Sequence, residues 1–419
     1  MAMRSTRWPG RANVYVSLLS IAKGEASYGK YLDGRAVQYI SPLLEDDKDL
    51  VTPCVLDAQA DRGYIGSVLY GDSFFVPNDF RVRMISINPR NQDVVLPVIN
   101  GDDANSSPEQ SASRSVICFR DFDIGRAQSY VEPFQYADEF IRTERERYAS
   151  KPGSANKRLA ERWWLFGRYS TKMYASIVQK ERCFAAAITT KYVVFSEFST
   201  GQVFLNTLFI VDSDRWEHFA ILQSTHHEVW ARKYSGAVAT TLRYSPSDCF
   251  ETFAFPGDLW ETRGSALAQI GEQYHQHRRS LMRGLCLGVT DIYNLFHTRD
   301  LSSGLVAKVS KKPADIARAG FDGLLELRRL HVALDNAVRD AYGWSDLNLG
   351  HDFVEVETLP ENDRVRYTIS PAARKEVLKR LLALNLQRAK EEAAKTPAAK
   401  AKGGKKTTAK VDPNQPDLI

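Results

Sequence analysis

The sequence lacks the features of secreted and membrane-spanning proteins. Its 419 residues include only five cysteines, at positions 54, 118, 183, 249 and 286, which are odd in number, lie far apart and form no C-x-x-C motif. Neither a disulfide framework nor a zinc ribbon is therefore predicted. No apolar run approaches the roughly 18 residues of a spanning helix, and no apolar segment follows the N-terminal arginines as in a signal peptide. We expect a cytoplasmic protein with no membrane partner.

Recognisable catalytic motifs are missing as well. The chain has no G-x-G, which argues against a dinucleotide fingerprint and against a glycine loop that binds S-adenosylmethionine or phosphates. It has no Pro-Pro, so the tetrapeptide with which amino-methyltransferases bind a flipped adenine is absent. The motifs H-E-x-x-H, D-x-D-G and G-x-S-x-G do not occur either. We predict no catalytic residue and no cofactor on this chain.

One cluster, His226-His227-Glu228, contains residue types that bind metals. Neighbouring side chains on a helix point about 100° apart, so two adjacent histidines do not bind one ion without a third ligand from elsewhere. We therefore predict no metal site. We place the histidines where their helix meets a neighbouring hairpin or DNA.

Charge is concentrated in one part of the chain. The whole sequence has 56 Lys and Arg against 51 Asp and Glu, a net charge of +5. Residues 141–191 alone contain twelve Lys or Arg, four Glu and no Asp, a local charge of +8, and five aromatic residues lie between positions 163 and 174. Such a segment fits a surface that binds phosphates. The alternative is a set of solvated helix faces.

The pattern along the chain predicts an α+β protein with two or three domains at roughly 100–200 residues per domain. Short apolar runs with turn residues predict strands up to about residue 125, and helical periodicity begins near residue 132. Residues 191–198 and 203–211 are predicted to pair as a hairpin, followed by one long helix over 216–234. Residues 257–395 are predicted to be mainly helical, including 315–343 and a last helix from Ser370. Residues 396–419 are Lys-rich without aromatics, which predicts a disordered basic tail.

A succession of segments resembles a known family. The segments are RWPGRANVYVSLLSIAKG (7–24), GYIGSVLYGDSFFV (63–76), NPRNQDVVLPVINGDDANSSPEQSASRSVICFRDF (88–122), WWLFGRYSTKMYASI (163–177), TTKYVVFSEFSTGQVFLNTLFIVDSD (189–214), FAILQSTHHEVWARKYSG (219–236) and CFETFAFP (249–256). In this order they are similar to the target-recognition region of MmeI-like (type IIL) adenine DNA methyltransferases and of their BREX and DISARM relatives. Segments 290–301, 324–349 and 366–388 resemble the helical C-terminal part of the same enzymes.

The resemblance covers nearly all of residues 7–393, yet the family's catalytic methyltransferase domain has no counterpart here. The resemblance implies four segments: residues 1–60 similar to the end of a methyltransferase domain, a mixed α/β DNA target-recognition domain over 61–256, a helical C-terminal domain over 257–395, and the tail. It implies a specificity subunit or fragment of an N6-adenine DNA methyltransferase in a restriction-modification or phage-defence system. S-adenosylmethionine is then expected on a separate methyltransferase polypeptide. The alternative is a non-catalytic scaffold descended from such an enzyme.

Within this interpretation, double-stranded DNA is the expected ligand, held by cationic side chains and read by polar side chains of the predicted hairpin and of the loop entering it. The predicted base contacts are Thr189, Thr190, Lys191, Ser196, Glu197, Ser199 and Gln202. The predicted phosphate contacts are Lys157, Arg158, Arg162, Arg168, Lys172, Lys180 and Arg182. Lys191 is the leading base-contact candidate, because it lies at the entrance of the predicted strand. A solvent-facing strand position is the alternative for each polar hairpin residue.

Overall fold

The fold was analysed in a computed structural model. The structure describes residues 1–8, 15–24, 29–40, 44, 46, 52–150, 154–238, 241–257, 266–356, 359 and 363–395. The predicted tail over 396–419 lies outside the described residues. No helix in the described ranges is long and apolar enough to cross a membrane.

The described elements alternate between short strands and helices up to residue 250, after which helices dominate. The strands are β1 (Ala2–Arg7), β2 (Tyr15–Leu19), β3 (Lys30–Leu32), β4 (Arg35–Val37), β5 (Gly63–Ile65), β6 (Phe75–Val76), β7 (Val95–Ile99), β8 (Arg114–Ile117), β9 (Arg182–Ala187), β10 (Thr189–Thr190), β11 (Ser196–Ser199), β12 (Val203–Phe204), β13 (Leu208–Val211), β14 (Gly236–Val238), β15 (Thr241–Arg243), β16 (Asp352–Glu355) and β17 (Val365–Thr368). The helices are α1 (Asn78–Ile87), α2 (Gly101–Ser106), α3 (Ile124–Gln128), α4 (Val131–Tyr136), α5 (Arg142–Ala149), α6 (Ser154–Glu161), α7 (Thr171–Ile177), α8 (Trp216–Gln223), α9 (Thr225–Tyr234), α10 (Ala266–Leu285), α11 (Val289–Phe296), α12 (Ser303–Ser310), α13 (Ala314–Ala341) and α14 (Pro371–Lys395). The predicted mixed α+β class is confirmed.

Two four-stranded sheets form the middle of the chain. One has the order β11-β9-β13-β5 and is antiparallel throughout, and the other has the order β12-β7-β8-β6. The inner strand β9 is almost completely buried and ends in three consecutive alanines. Its Ala185 lies opposite Ser196 on one side and Ile210 on the other. Small side chains at this centre let both sheet faces be covered closely by the neighbouring layers.

The predicted hairpin is wrong, because β9 separates its two halves. β11 and β13 lie on opposite sides of β9, and the first half of segment 203–211 is β12, which pairs in parallel with β7 of the other sheet. Alternating hydrophobicity predicts which residues form strands but does not identify their partners. The short connection at residues 199–202 favoured direct pairing, whereas β9 lies between the two strands and pairs with both.

The predicted long helix is broken into α8 and α9 at Ser224. Ser224 has extended backbone angles, and its hydroxyl accepts a hydrogen bond from the His227 amide, so it begins the second helix as an N-cap. All eight residues of α8 are buried. The break changes the direction of the chain, so that both helices pack into the core.

The helical C-terminal region shares its core with the central sheet. One continuous apolar cluster runs from Phe184 and Phe209 of the sheet, through α8, to Leu334 of α13 and Leu381 of α14. The predicted helices over 315–343 and from Ser370 correspond to α13 and α14. Residues on both sides of position 256, where we placed a domain boundary, therefore pack in one cluster.

The N-terminal sheet has the order β2-β1-β3-β4 and exposes several large apolar side chains. Met1 is 56% exposed, Leu18 44%, Leu19 55% and Ile21 87%. Leu18 lies opposite Met3 of β1, which is 37% exposed, so these two apolar side chains share one face of the sheet, and a patch of exposed apolar side chains is typical of an interaction surface.

Candidate nucleic-acid interface

The basic segment over 141–191 contains two kinds of cationic side chain. Some are exposed, and others are buried or bind neighbouring residues of the fold. Lys157, Arg158 and Arg162 follow one another on and just after α6, and all three are exposed with no ion pair among the described residues. Arg145 is the opposite case. It is fully buried, and its Nη2 donates to the carbonyls of Leu69 and Leu165. Burial lowers the pKa of Arg145 to about 10.

The side chains of two predicted phosphate contacts, Lys180 and Arg182, already bind other residues of the fold. Lys180 Nζ lies 2.6 Å from the Asp212 carboxylate and also donates to the Ser176 carbonyl. Arg182 donates to the Asp214 carbonyl and lies 4.8 Å from the Trp216 ring centroid. Both cations hold β9 to the chain after β13. Binding a phosphate would require giving up these contacts, and the sequence could not indicate them because the partners are about 30 residues away.

Arg168 and Lys172 line an open groove of about 560 Å³ at the edge strand β5. Both are exposed, and within the described part of the chain Lys172 has only a distant pair, 3.9 Å, with the exposed Asp61. The other wall consists of Pro246, Ser247 and Glu251. The groove therefore presents two cations, hydroxyl groups and one carboxylate to solvent, which is the mixture of groups that holds a backbone phosphate and contacts base edges.

A small exposed sheet lies next to this groove in the chain. Its order is β10-β15-β14, and Thr189 lies opposite Arg243. Both residues are exposed, and Arg243 is followed three positions later by Pro246 of the groove wall. Arg243 was not among the predicted contacts. Its sequence signal is weak, because one arginine outside the basic segment has no distinguishing neighbours.

Thr190 and Ser196 are too buried to contact bases, contrary to the prediction. Thr190 is 7% exposed and its hydroxyl donates to the Tyr192 carbonyl. Ser196 is 2% exposed, and its hydroxyl accepts from Gln110 and Arg278. The prediction took Ser196 as a polar position of the hairpin and Thr190 as part of the segment entering it, but the packing of the fold buries both side chains.

Lys191 and Glu197 also face the helical region. Lys191 Nζ lies 3.0 Å from the Asp363 carboxylate and 2.8 Å from the Asn294 side-chain oxygen. Glu197 pairs with Arg279 at 3.2 Å and with Arg182 at 3.5 Å. Base contact by either side chain stays a prediction, and it would require these partners to separate.

The turn after β11 keeps the remaining predicted base contacts near the surface. Ser199 is exposed and accepts a hydrogen bond from the Gly201 amide, whereas Gln202 is half-buried and donates to the Ser199 carbonyl. Thr189, Ser199 and Gln202 are therefore the predicted base contacts that are accessible to solvent and take part in no ion pair among the described residues.

The adjacent histidines lie in the core. His226 and His227 are fully buried, and burial lowers the pKa of His226 to about 4 and that of His227 to about 3. His227 Nε2 lies 3.0 Å from the Tyr244 hydroxyl, and His226 stacks on Tyr342 of the helical region. The described residues contain no group of three His, Cys, Asp or Glu that could hold a metal ion. The histidines thus lie at the interface of their helix with neighbouring segments.

Comparison with known proteins identifies the region that contains the groove and the small sheet. Residues 65–257 match the family model described as "MmeI, target recognition domain". These residues form an MmeI-like target recognition domain. The domain includes Arg168, Lys172 and Arg243, together with all predicted base contacts.

The fold is similar to one solved structure over most of the chain. That structure is described as the type IIL restriction-modification enzyme MmeI in complex with DNA, with a TM-score of 0.55 and 15% sequence identity. The match covers 93% of this chain but only 46% of the other, so this chain spans about half the length of the MmeI structure. A search of curated proteins finds no match. At this identity the likeness establishes the fold, which here includes the helical region beyond the target recognition domain.

Proposed function

We propose that this chain recognises a specific sequence in double-stranded DNA and positions a separate N6-adenine methyltransferase polypeptide of a restriction-modification or phage-defence system. The observation that carries the proposal is that the match to a target recognition domain encloses the groove lined by Arg168 and Lys172. The related MmeI structure is a complex with DNA. S-adenosylmethionine would bind to the methyltransferase, because this chain has no glycine loop for it.

Within this proposal, Lys157, Arg158, Arg162, Arg168 and Lys172 bind backbone phosphates. Thr189, Ser199, Gln202 and Arg243 approach base edges. Arginine donates two parallel hydrogen bonds to guanine, and threonine and glutamine have both donors and acceptors for base edges. The exposed apolar side chains of β1 and β2 form the surface that meets the methyltransferase polypeptide.

Replacing Arg158, Arg162 and Lys172 together by Ala should weaken binding to every duplex alike. Each lost phosphate contact lowers the slope of log affinity against log salt by about 0.9, so a loss of about two to three in the slope is expected. Fluorescence anisotropy with labelled duplexes across a salt series measures this. The matched control replaces three exposed lysines of the helical region, Lys308, Lys379 and Lys390, by Ala.

An unchanged slope in the Arg158, Arg162 and Lys172 variant, or an equal loss in the control, would contradict the phosphate assignment. Lys180→Ala supplies a further comparison, because it breaks the contact with the half-buried Asp212. It should lower the free energy of unfolding by about 1–2 kcal/mol and leave the salt slope unaltered.

Arg243→Ala should relax the recognised sequence at one position. Loss of a two-bond contact with a base costs about 1–3 kcal/mol at that base pair and little elsewhere. The measurement is sequencing of duplexes that the chain selects from a random pool, with Thr189→Ala tested in parallel. Arg283→Ala, an exposed arginine on α10, is the matched control. If the Arg243 variant selects the wild-type motif with uniformly lower yield, Arg243 contacts a phosphate instead of a base.

A further inference from the structure

A partly open cavity lies where the segment before β11 and helix α9 of the target recognition domain meet α11, α13, β17 and α14 of the helical region. Its volume is about 40 Å³, which is room for about three water molecules and comparable to one tetrahedral oxyanion. The cavity is separate from the groove at β5, with which it shares no lining residue. We call it the Arg366 cavity.

The wall of the Arg366 cavity is positively charged. It contains three arginines, Arg232, Arg366 and Arg374, and one carboxylate, Glu228. The side chains of these arginines are only 11%, 6% and 15% exposed. Arg232 and Arg374 share Glu228 as their ion-pair partner. One carboxylate therefore neutralises two guanidinium groups, and the described wall has a net charge of +2.

The charged residues directly behind the cavity wall do not cancel its positive charge. Arg366 pairs with Asp363, but Asp363 also pairs with Lys191 at 3.0 Å. Asp335 lies behind Thr225 and is bound by His351 at 2.8 Å. Counting Lys191, Asp363 and Asp335 with the wall leaves +1 among the described residues. Uncompensated buried cations are costly, and an anion in their midst offsets that cost.

Arg366 also has an unused donor at this place. Its Nη1 and Nη2 bind Asp363, whereas its Nε is buried and has no hydrogen-bond partner among the described residues. A buried N–H without a partner costs about 1–3 kcal/mol, more when the group is charged. Arg374 Nη1 has a 3.2 Å contact with Thr368 Oγ1 and a longer one, 3.4 Å, with Glu228. Guanidinium groups with such geometry are suited to phosphate and similar oxyanions.

The histidines of the wall leave the sign of the charge unchanged. His331 is buried and His297 is half-buried, and desolvation lowers the pKa of both rings, so they are neutral near pH 7. Tyr192 and Thr225 contribute hydroxyl groups that already have partners. The excess positive charge therefore comes from the arginines alone.

We propose that the Arg366 cavity binds one phosphate-sized oxyanion, which joins the target recognition domain to the helical region through Arg232, Arg366 and Arg374. The oxyanion is either free in solution or a phosphate of the DNA backbone that enters between the two regions. The proposal does not depend on which bases the chain reads.

Calorimetric titration of the full chain with inorganic phosphate, at constant ionic strength, tests the proposal. Saturable binding of one phosphate per chain is expected, with a rise in melting temperature as the phosphate concentration increases. Arg374→Gln should weaken phosphate binding about tenfold or more, because a charged donor is lost. Arg380→Gln is the matched control. It lies on the same helix, pairs with Glu376 and Asp346, and should leave binding unchanged.

A second variant keeps the test decisive if Arg374→Gln fails to fold. Glu228→Gln removes the only carboxylate of the described wall and should strengthen phosphate binding severalfold. The same titrations with a DNA duplex distinguish the source of the oxyanion. An effect of Arg374→Gln on phosphate binding identifies a free anion, and an effect on duplex binding alone identifies a DNA phosphate. No dependence on Arg374 or Glu228 in either titration overturns the proposal.

Discussion

Replacing Asp335 by Ala should lower the free energy of unfolding by about 3–5 kcal/mol, as expected when one member of a buried charged network is removed. Asp335 is fully buried on α13. Its carboxylate accepts hydrogen bonds from the amide and hydroxyl of Thr225 and lies 2.8 Å from His351 Nε2. Burial alone would raise the pKa of Asp335, but the His331 and His351 rings hold it well below its usual range. The variant would leave the Thr225 amide and His351 Nε2 buried without this acceptor.

Asp340→Ala is the matched control on the same helix. Asp340 is 55% exposed and pairs only with its neighbour Arg339, so its loss should change stability by well under about 1 kcal/mol. Urea unfolding followed by tryptophan fluorescence and by circular dichroism measures both variants. A loss for Asp335→Ala no larger than that of the control would mean that the network around Thr225 contributes nothing to joining α9 with α13.

Asp335 also illustrates what the sequence could not predict. Helical periodicity over 315–343 correctly identified α13, because its apolar positions recur every three to four residues. The same periodicity places Asp335 only near the buried stripe. Its role depends on Thr225, which is 110 residues away, and no local pattern indicates such a partner.

The sequence predicted only part of the candidate interface, because here too the partners of several side chains are distant in the sequence. The charge count over 141–191 correctly located a segment with exposed cations, including Arg158 and Lys172. It could not separate them from Lys180, whose partner Asp212 is brought close by the pairing of β13 with β9. Ser196 has a base-reading residue type, but packing against Gln110 and Arg278 buries it. Residue type predicts chemical capability, and tertiary packing determines access.

The last expected result is a steep loss of stability on mild acidification. Five histidines have pKa values lowered, with desolvation as the largest cause: His226, His227, His275, His297 and His331. An unfolded histidine takes up a proton near pH 6.5, whereas these rings stay neutral in the folded protein. The unfolded state therefore binds more protons below pH 6.5, and stability falls as pH falls.

The lowered pKa values of the histidines determine the pH range over which stability is lost. Stability from the histidines is complete above about pH 7 and decreases through pH 6.5, with about 1.3 kcal/mol lost per buried histidine by pH 5.5. His226 and His227, whose pKa values are lowered to about 4 and about 3, together give a loss of about 2.6 kcal/mol over this range, and the other three histidines add to the loss in the same direction. Carboxylates with lowered pKa values, such as Glu228 at about 2, add to the loss only below about pH 4.5. The two contributions are separable by pH.

His226→Phe and His227→Phe together distinguish this cause from general acid sensitivity. Each variant should lose about 1.3 kcal/mol less of its free energy of unfolding between pH 7 and pH 5.5 than the wild type does. The reason is that each substitution removes one histidine that takes up a proton in the unfolded chain. At pH 7 they should differ. Neither ring nitrogen of His226 has a hydrogen-bond partner among the described residues, so His226→Phe loses no hydrogen bond there, whereas His227→Phe loses the bond with the Tyr244 hydroxyl at a cost of about 0.5–1.5 kcal/mol. Urea unfolding at half-unit pH steps measures both quantities, and an unchanged pH dependence in both variants would rule out the buried histidines as its source.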